Sequence, residues 1–423
     1  MPRLLLLLPT TTYRAEAFLD AARKLGLEVM VGSKRANVLP DPHTAGFLPL
    51  NLDDPDEAVR AAVEFAETTS IDAVIGVDDN TTVLATVIAA ALGLPHNSVA
   101  SVSAARNKHL LRDLLRQHGV PVPNFTLFSI DDDPQALADT ITFPCVVKPL
   151  VLSASCGVIR ANHEAEFVAA FRRVKALLTK LGLVATDDAA RKILVEDFVP
   201  GREVALEGLL TNGKLRVLAL FDKPDPLDGP FFEETLYVTP SRLPANVQVE
   251  IASCAAKAAR ALGLCEGAIH GELRVNDDGI WVIETAARSI GGRCSRTLRF
   301  AAGMSLEELI LRHALRMDLP SLDHEQEPAG VMMLPIPRAG ILSEVRGQER
   351  ALAVPGIEEL AITAQPGQEL VPLPEGTRYL GFLIARGDTP EAVEAALREA
   401  HSKLELVIGE TVTQAPKSKV IHF

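Results

Sequence analysis

Two carboxylates twelve residues apart, Glu272 and Glu284, flank the run Asn276-Asp277-Asp278-Gly279. The segments on either side, GELRV and IWVIET, are apolar and rich in β-branched residues, and Asn-Asp-Asp-Gly is turn chemistry. A turn closing near Asp278-Gly279 brings the two glutamates close to opposite one another on paired strands. Like charges facing each other in a sheet are destabilising, so a cation is expected between them. Arg288 and the step Gly291-Gly292 follow directly. Hard carboxylate oxygens, a guanidinium and sterically open backbone N–H groups together suit a Mg²⁺–phosphate site. The plainer alternative is a solvated hairpin with incidental acids.

Further charges precede the hairpin. Lys108 and Arg112 stand i,i+4 in RNKHLLRDLLRQHG and share a helix face, unremarkable if that face is solvated. Lys148 ends the strand-like FPCVVKP, just before the small-residue loop LSASCGV. A point charge beside backbone donors of low bulk is what phosphate oxygens favour. Glu196 and Glu203 lie seven residues apart around Pro200-Gly201, with Phe198 and Val199 offering a flat apolar base between them. Thr10-Thr11-Thr12 and Asp78-Asp79-Asn80 end apolar strand patterns, where helix capping accounts for them without a ligand.

The elements that must position these groups read as three units. Residues 1–105 alternate apolar strands with amphipathic helices, which predicts a parallel α/β sheet covered on both faces. Ligands of such sheets bind at the carboxyl ends of the strands. Residues 106–325 mix helices with hairpin patterns, and residues 326–423 read as a small β-rich antiparallel sheet with one helix. No GxGxxG, internal repeat or low-complexity segment occurs.

Composition limits the possibilities. A chain of 423 residues exceeds one core. Net charge of −13 and a pI near 5.3 argue against a sequence-independent nucleic-acid binder, which needs a basic face. The five cysteines form no CxxC or Cys/His metal spacing, so reduced thiols and a cytoplasmic setting are expected. The opening Leu run is too short for a signal-peptide core, and no apolar run approaches the ~18 residues of a membrane span.

Taken in order, Lys108, Lys148 with its loop, Glu196 and Glu203, Glu272, and Glu284-x-x-x-Arg288 resemble the ATP-grasp superfamily over nearly the whole chain. ETAAR followed by Gly-Gly, with HGEL and RYLGFLIARG, is similar to the bacterial L-amino-acid ligases (dipeptide synthetases) among the carboxylate–amine ligases. The resemblance implies an N-terminal pre-ATP-grasp domain, a two-part α+β grasp domain and a C-terminal cap. It implies an activity in which ATP phosphorylates a carboxylate and an amine then attacks the acyl phosphate. ATP and Mg²⁺ (or Mn²⁺) are the implied cofactors, and small-molecule carboxylates and amines, amino acids among them, the implied substrates. Neither nucleic acid nor membrane is an expected partner, and a homodimer is one assembly found among relatives.

Carried over by position, Lys108 and Lys148 would hold ATP phosphates, with the loop bearing Ser153, Ser155 and Gly157 closing over them. Glu196 and the backbone of Asp197, Phe198 and Val199 would read adenine, and Glu203 the ribose. Glu272 and Glu284 would bind metal, and Arg288 would neutralise the transferring phosphoryl group. His270, Gly291 and Gly292 would meet substrate. Ala286 stands where many relatives carry a metal-binding Asn, and Cys156 where the loop commonly has Arg. A biotin carboxylase-like enzyme, a purine-pathway ligase and an ATP-binding sensor without ligase chemistry are the competing readings.

Overall fold

The structure, a computed structural model, describes residues 2–9, 12–34, 44–325 and 327–409; Thr10 and Thr11 of the threonine loop lie outside the described residues. The first sheet is parallel, in the spatial order Thr44–Pro49, Glu28–Ser33, Arg3–Leu7, Ala73–Gly76. Leu4 and Leu6 pack toward helix Ala15–Lys24, whereas Leu5 and Leu7 pack toward helices Pro55–Thr68 and Asp79–Ala91. Burial on both faces is why the first strand is an unbroken leucine run.

The expected basic helix starts at Lys108 rather than Arg106. Asn107 ends helix Val99–Arg106, and its side chain accepts the N–H groups of His109 and Leu110 to start helix Lys108–Gln117. An antiparallel sheet follows, in the order Phe125–Ser129, Lys192–Asp197, Cys145–Pro149, Ile159–Ala161. Helix Glu164–Lys180 buries Phe167, Phe171 and Val174 in the core of this layer.

The largest sheet has eight strands in antiparallel succession: Gly279–Ala286, Gly267–Asn276, Arg202–Thr211, Lys214–Asp222, Leu236–Thr239, Ala329–Leu334, Gly381–Arg386 and Ile357–Ile362. Its last three strands come from the section read as a separate small sheet. AGVMML is buried at every position, as an interior strand must be, and it takes neighbours on both edges. A separate three-stranded sheet is built from Gly340–Arg346, Glu369–Leu370 and Glu405–Gly409, and two helices, Gln348–Leu352 and Pro390–Ser402, accompany these strands. Among the described residues no helix is long and apolar enough to cross a membrane.

Candidate active site

The central hairpin forms as its turn chemistry predicts. Asn276 accepts the backbone N–H of Asp278 and the indole N–H of Trp281, closing the turn between Gly267–Asn276 and Gly279–Ala286. Glu272 and Glu284 are direct cross-strand partners, with a register shift beginning just after Glu272. The cation facing Glu272 is Lys223. Its Nζ lies 2.7 Å from Glu203 Oε1, 2.7 Å from Glu234 Oε1 and 3.4 Å from Glu272 Oε1. Carboxylate oxygens of Glu203, Glu234 and Glu272 all fall within 4.8 Å of one another. Burial and the charges of neighbouring acids push the Glu234 and Glu272 carboxyls above their usual range, although Lys223 opposes the shift. The Glu284 side chain makes no hydrogen bond or ion pair among the described residues, and Glu284 lines both pockets. Such a set of hard, mutually repelling oxygen donors fits a divalent cation.

The nucleotide-side charges are arranged differently from the expectation for Glu196. Its carboxylate is fully engaged: Arg112 Nε donates to Oε1 at 2.7 Å, and Lys148 Nζ donates to Oε2 at 2.5 Å. Burial alone would raise this carboxyl, but Arg112 and Lys148 hold it down at about 2. Burial lowers the Lys148 ammonium below the ordinary lysine value, more than Glu196 restores it. Glu196 therefore orients Lys148, and each of its carboxylate oxygens already accepts a hydrogen bond. Glu203 is likewise held by Lys223 and by Arg274 Nε at 2.8 Å.

Lys108 Nζ donates to Leu152 O at 2.6 Å, tying helix Lys108–Gln117 to the small-residue loop. Within that loop Ala154, Ser155 and Gly157 all adopt positive φ. Gly157 is required: a Cβ there would lie 3.1 Å from the Pro149 ring, at a φ that side chains disfavour. Its N–H donates to Pro374 O at 2.8 Å, and the Cys156 thiol, pushed up to about 11 by burial, points at Glu375 O. Cys156 thus packs against the C-terminal section instead of supplying a charge.

On the opposite wall, four interactions fix the turn after the hairpin. Arg288 Nη2 pairs with Asp79 Oδ2 at 2.7 Å. Arg14 donates to the Ser289 carbonyl at 3.1 Å and to its hydroxyl. Buried Glu207 accepts the Ile290 N–H at 2.8 Å, and the Tyr13 hydroxyl accepts the Gly292 N–H at 2.7 Å. The Gly292 N–H is thereby occupied by Tyr13 rather than directed into open space. Gly292 itself has φ +61, and a Cβ there would lie 2.4 Å from Met333 Sδ. His270 is buried, with Nε2 3.3 Å from Glu272 Oε1 and Nδ1 without a partner. Burial, reinforced by Arg288 and Lys223, pushes it down to about 3, so its imidazole is neutral near pH 7.

These walls enclose a cavity of about 930 Å³ that includes His270, Glu272, Glu284, Arg288, Gly291 and Gly292. A second pocket holds Lys108, Lys148, Glu203 and the stretch Glu196 to Val199. The two share Leu152 to Ser155, Glu234, Glu272 and Glu284, so they meet at the acids and beneath the loop. Of the residues to which the resemblance assigns a site role, Gly157 alone lines neither pocket. Arg112, Lys223, Glu234, Tyr13 and Arg14 were missed as site residues. Arg112 carried a signal in its i,i+4 relation to Lys108; Glu234, in FFEET, carried none.

A pocket between two antiparallel layers, a carboxylate pair on a hairpin and a parallel α/β unit in front make up the ATP-grasp arrangement. Family models agree: residues 19–96 match the ATP-grasp N-terminal domain, residues 141–297 the ATP-grasp domain, and residues 332–409 the L-amino acid ligase C-terminal domain 2. The chain has the ATP-grasp fold, with an ATP-grasp domain over residues 141–297. It is 27% identical over 294 residues to the alanine–anticapsin ligase of Bacillus subtilis, covering 64% of this chain and 61% of that protein, so the match spans less than two thirds of the relative's length. It is 26% identical over 239 residues to the D-alanine–D-alanine ligase of Ralstonia pickettii, covering 54% of this chain and 68% of that one. The crystal structure of an L-amino acid ligase from Bacillus licheniformis superposes with a TM-score of 0.81 at 25% identity, covering 97% of this chain and 99% of that chain.

Proposed function

We propose that this protein is an ATP-dependent carboxylate–amine ligase that joins amino acids through an acyl phosphate, releasing ADP and phosphate. The observation that carries the reading is the meeting of the two pockets at Glu234, Glu272 and Glu284, with Arg288 on the far wall. A γ-phosphate entering from one side and a carboxylate from the other would converge there. Relatives named alanine–anticapsin ligase and D-alanine–D-alanine ligase support the same class of reaction.

A carboxylate oxygen of the first substrate attacks the γ-phosphorus, and the bond to the bridging oxygen breaks to leave ADP. The amine of the second substrate then attacks the acyl carbon. Phosphate departs with the electron pair of its C–O bond, and the nitrogen loses a proton. Phosphoryl transfer asks little covalent work of side chains, so positioning and charge neutralisation dominate. Lys148, oriented by Glu196, and Lys108 hold phosphate oxygens. Ser153 and Ser155 lie in the loop over them, and Asp197, Phe198 and Val199 line the base pocket while Glu203 faces the ribose. Arg288 stabilises the transferring group, and neutral His270 with Gly291 and Gly292 borders the substrates. Glu272 and Glu284, with Glu234 beside them, would hold Mg²⁺ or Mn²⁺, which supplies electrostatic neutralisation of the phosphates. The setting we assign is the cytoplasm, where ATP is abundant and the five free cysteines stay reduced.

The test is phosphate release from ATP across an array of amino-acid pairs, with products weighed by mass spectrometry. Amide products accompanying phosphate release are expected for a subset of pairs. ATP binding without product from any pair would favour a sensor.

A further inference from the structure

Four guanidinium groups line the large cavity, those of Arg14, Arg106, Arg288 and Arg378. Two are spoken for. Arg288 is paired with Asp79, while Arg14 is bonded to Ser289 and lies 3.8 Å from Asp78. Arg106 and Arg378 have no carboxylate within 4.0 Å and no side-chain hydrogen bond among the described residues. Arg106 adds its field to the Asp79 carboxylate, which Arg288 already occupies. Burial would raise that carboxyl, but Arg288, Arg14 and Arg106 hold it below the usual range. The cavity residues closest to Arg378 in sequence, Thr377 and Tyr379, are uncharged, as are Thr363 and Gln368 from the neighbouring segment. The remaining acids of the cavity, Glu234, Glu272 and Glu284, belong to the cluster around Lys223 and the metal position.

The charges can be compared with what two amino acids bring. The carboxylate of the acyl donor becomes the acyl phosphate and faces Arg288. The amine donor contributes one free α-carboxylate, which neutralises one of the two unpaired arginines. The acyl donor's α-ammonium is itself positive and cannot neutralise the other, so one arginine is left without an anion. The rest of the cavity does not call for it: all three tyrosines of the chain line the cavity, with the Tyr13 and Tyr379 rings 5.4 and 6.0 Å from Phe382. In a chain only 4% aromatic, that concentration of rings makes an apolar lobe suited to an uncharged side chain.

We infer that one of the two amino acids carries an anionic side chain, an aspartate- or glutamate-like carboxylate, and that Arg106 and Arg378 distinguish it from its neutral isostere. The inference rests on the ligase reading and narrows it to a substrate class. Recognition by guanidinium is apt because its fork matches a carboxylate in plane and separation. Arg378 is exposed and Arg106 half-buried, so both are accessible to an arriving substrate.

The experiment is calorimetric binding to the full chain with Mg²⁺ and a non-hydrolysable ATP analogue. The ligands are L-glutamate against L-glutamine and L-aspartate against L-asparagine. At least one acid is expected to bind about tenfold or more tightly than its amide. Arg378→Gln and Arg106→Gln should each shrink that ratio, and the double variant should bring it to roughly twofold or less, with affinity for the ATP analogue unchanged. Equal affinity for acid and amide in the unaltered protein overturns the inference, as does a ratio that persists in the double variant. Binding is read without turnover, so failure of the ligase reading shows separately, as absent phosphate release with every pair.

Discussion

Arg288, on the turn after the hairpin that carries Glu272 and Glu284, is held by Asp79, the first residue of a helix in the N-terminal α/β unit, at 2.7 Å. Burial would weaken the guanidinium's charge, but Asp79 raises its pKa further above the usual arginine value. The ion pair therefore aims a permanent cation into the cavity from a second layer of the fold. Asp79→Asn keeps the shape but removes the charge that orients the fork. Its kcat should fall about tenfold, with the ATP dissociation constant within about twofold of the unaltered protein. Steady-state kinetics beside calorimetry decides this, and an unchanged kcat would show that Asp79 serves only to dock the layers.

Arg288→Lys preserves a positive charge that can still reach Asp79, yet loses the planar pair of donors. A kcat loss of roughly 10²-fold or more is expected, the size associated with a group that stabilises charge in the transition state. ATP affinity should change little if, as proposed, Lys108 and Lys148 hold the ground-state phosphates. A parallel collapse of ATP affinity would make Arg288 a nucleotide anchor instead.

Metal dependence can be read without turnover. Mg²⁺ or Mn²⁺ should raise the melting temperature of the unaltered protein, since a ligand that binds only the folded state stabilises it. Glu284→Gln should abolish both that rise and catalysis while the far-ultraviolet circular dichroism stays unchanged. Glu284 is the informative choice because it has no partner to lose, whereas Glu272 and Glu234 also engage Lys223. A metal-induced shift that survives the substitution would move the metal site elsewhere.

Acid stability should carry the signature of Glu196. Its folded-state pKa of about 2 lies below the ordinary glutamate value of 4.5, so its contribution is fully present above pH 4.5 and is lost as pH falls toward 2. The amount is on the order of a few kcal/mol. Urea unfolding between pH 5 and pH 2, compared with Glu196→Gln, should show a flatter acid limb in the variant. Identical acid limbs would mean that other carboxylates govern the transition.

Much of this site was legible because its parts are local. The hairpin acids could be placed opposite each other from a turn motif and strand periodicity alone, and Glu272 and Glu284 are register partners. The leucine run of the first strand marks two-sided burial in the same way. Residues supplied by remote elements were not legible. Nothing near Arg112 announces that its guanidinium crosses to Glu196, 84 positions away, nor that Tyr13 meets Gly292 across 279 positions. Asp78-Asp79 could be explained as capping, yet Asp79 spends its charge on Arg288. Glu196 shows the same limit: sequence shows which carboxylate is present, but not that two buried cations pair with it.

The central claim is that a substrate carboxylate is phosphorylated before the amine attacks. It is tested most directly by supplying an accepted amino acid labelled with ¹⁸O in both carboxylate oxygens and weighing the phosphate released. One ¹⁸O atom should appear in each phosphate, because the oxygen that attacks the γ-phosphorus leaves with it when the amide forms. Amide product accompanied by unlabelled phosphate would contradict the acyl-phosphate route.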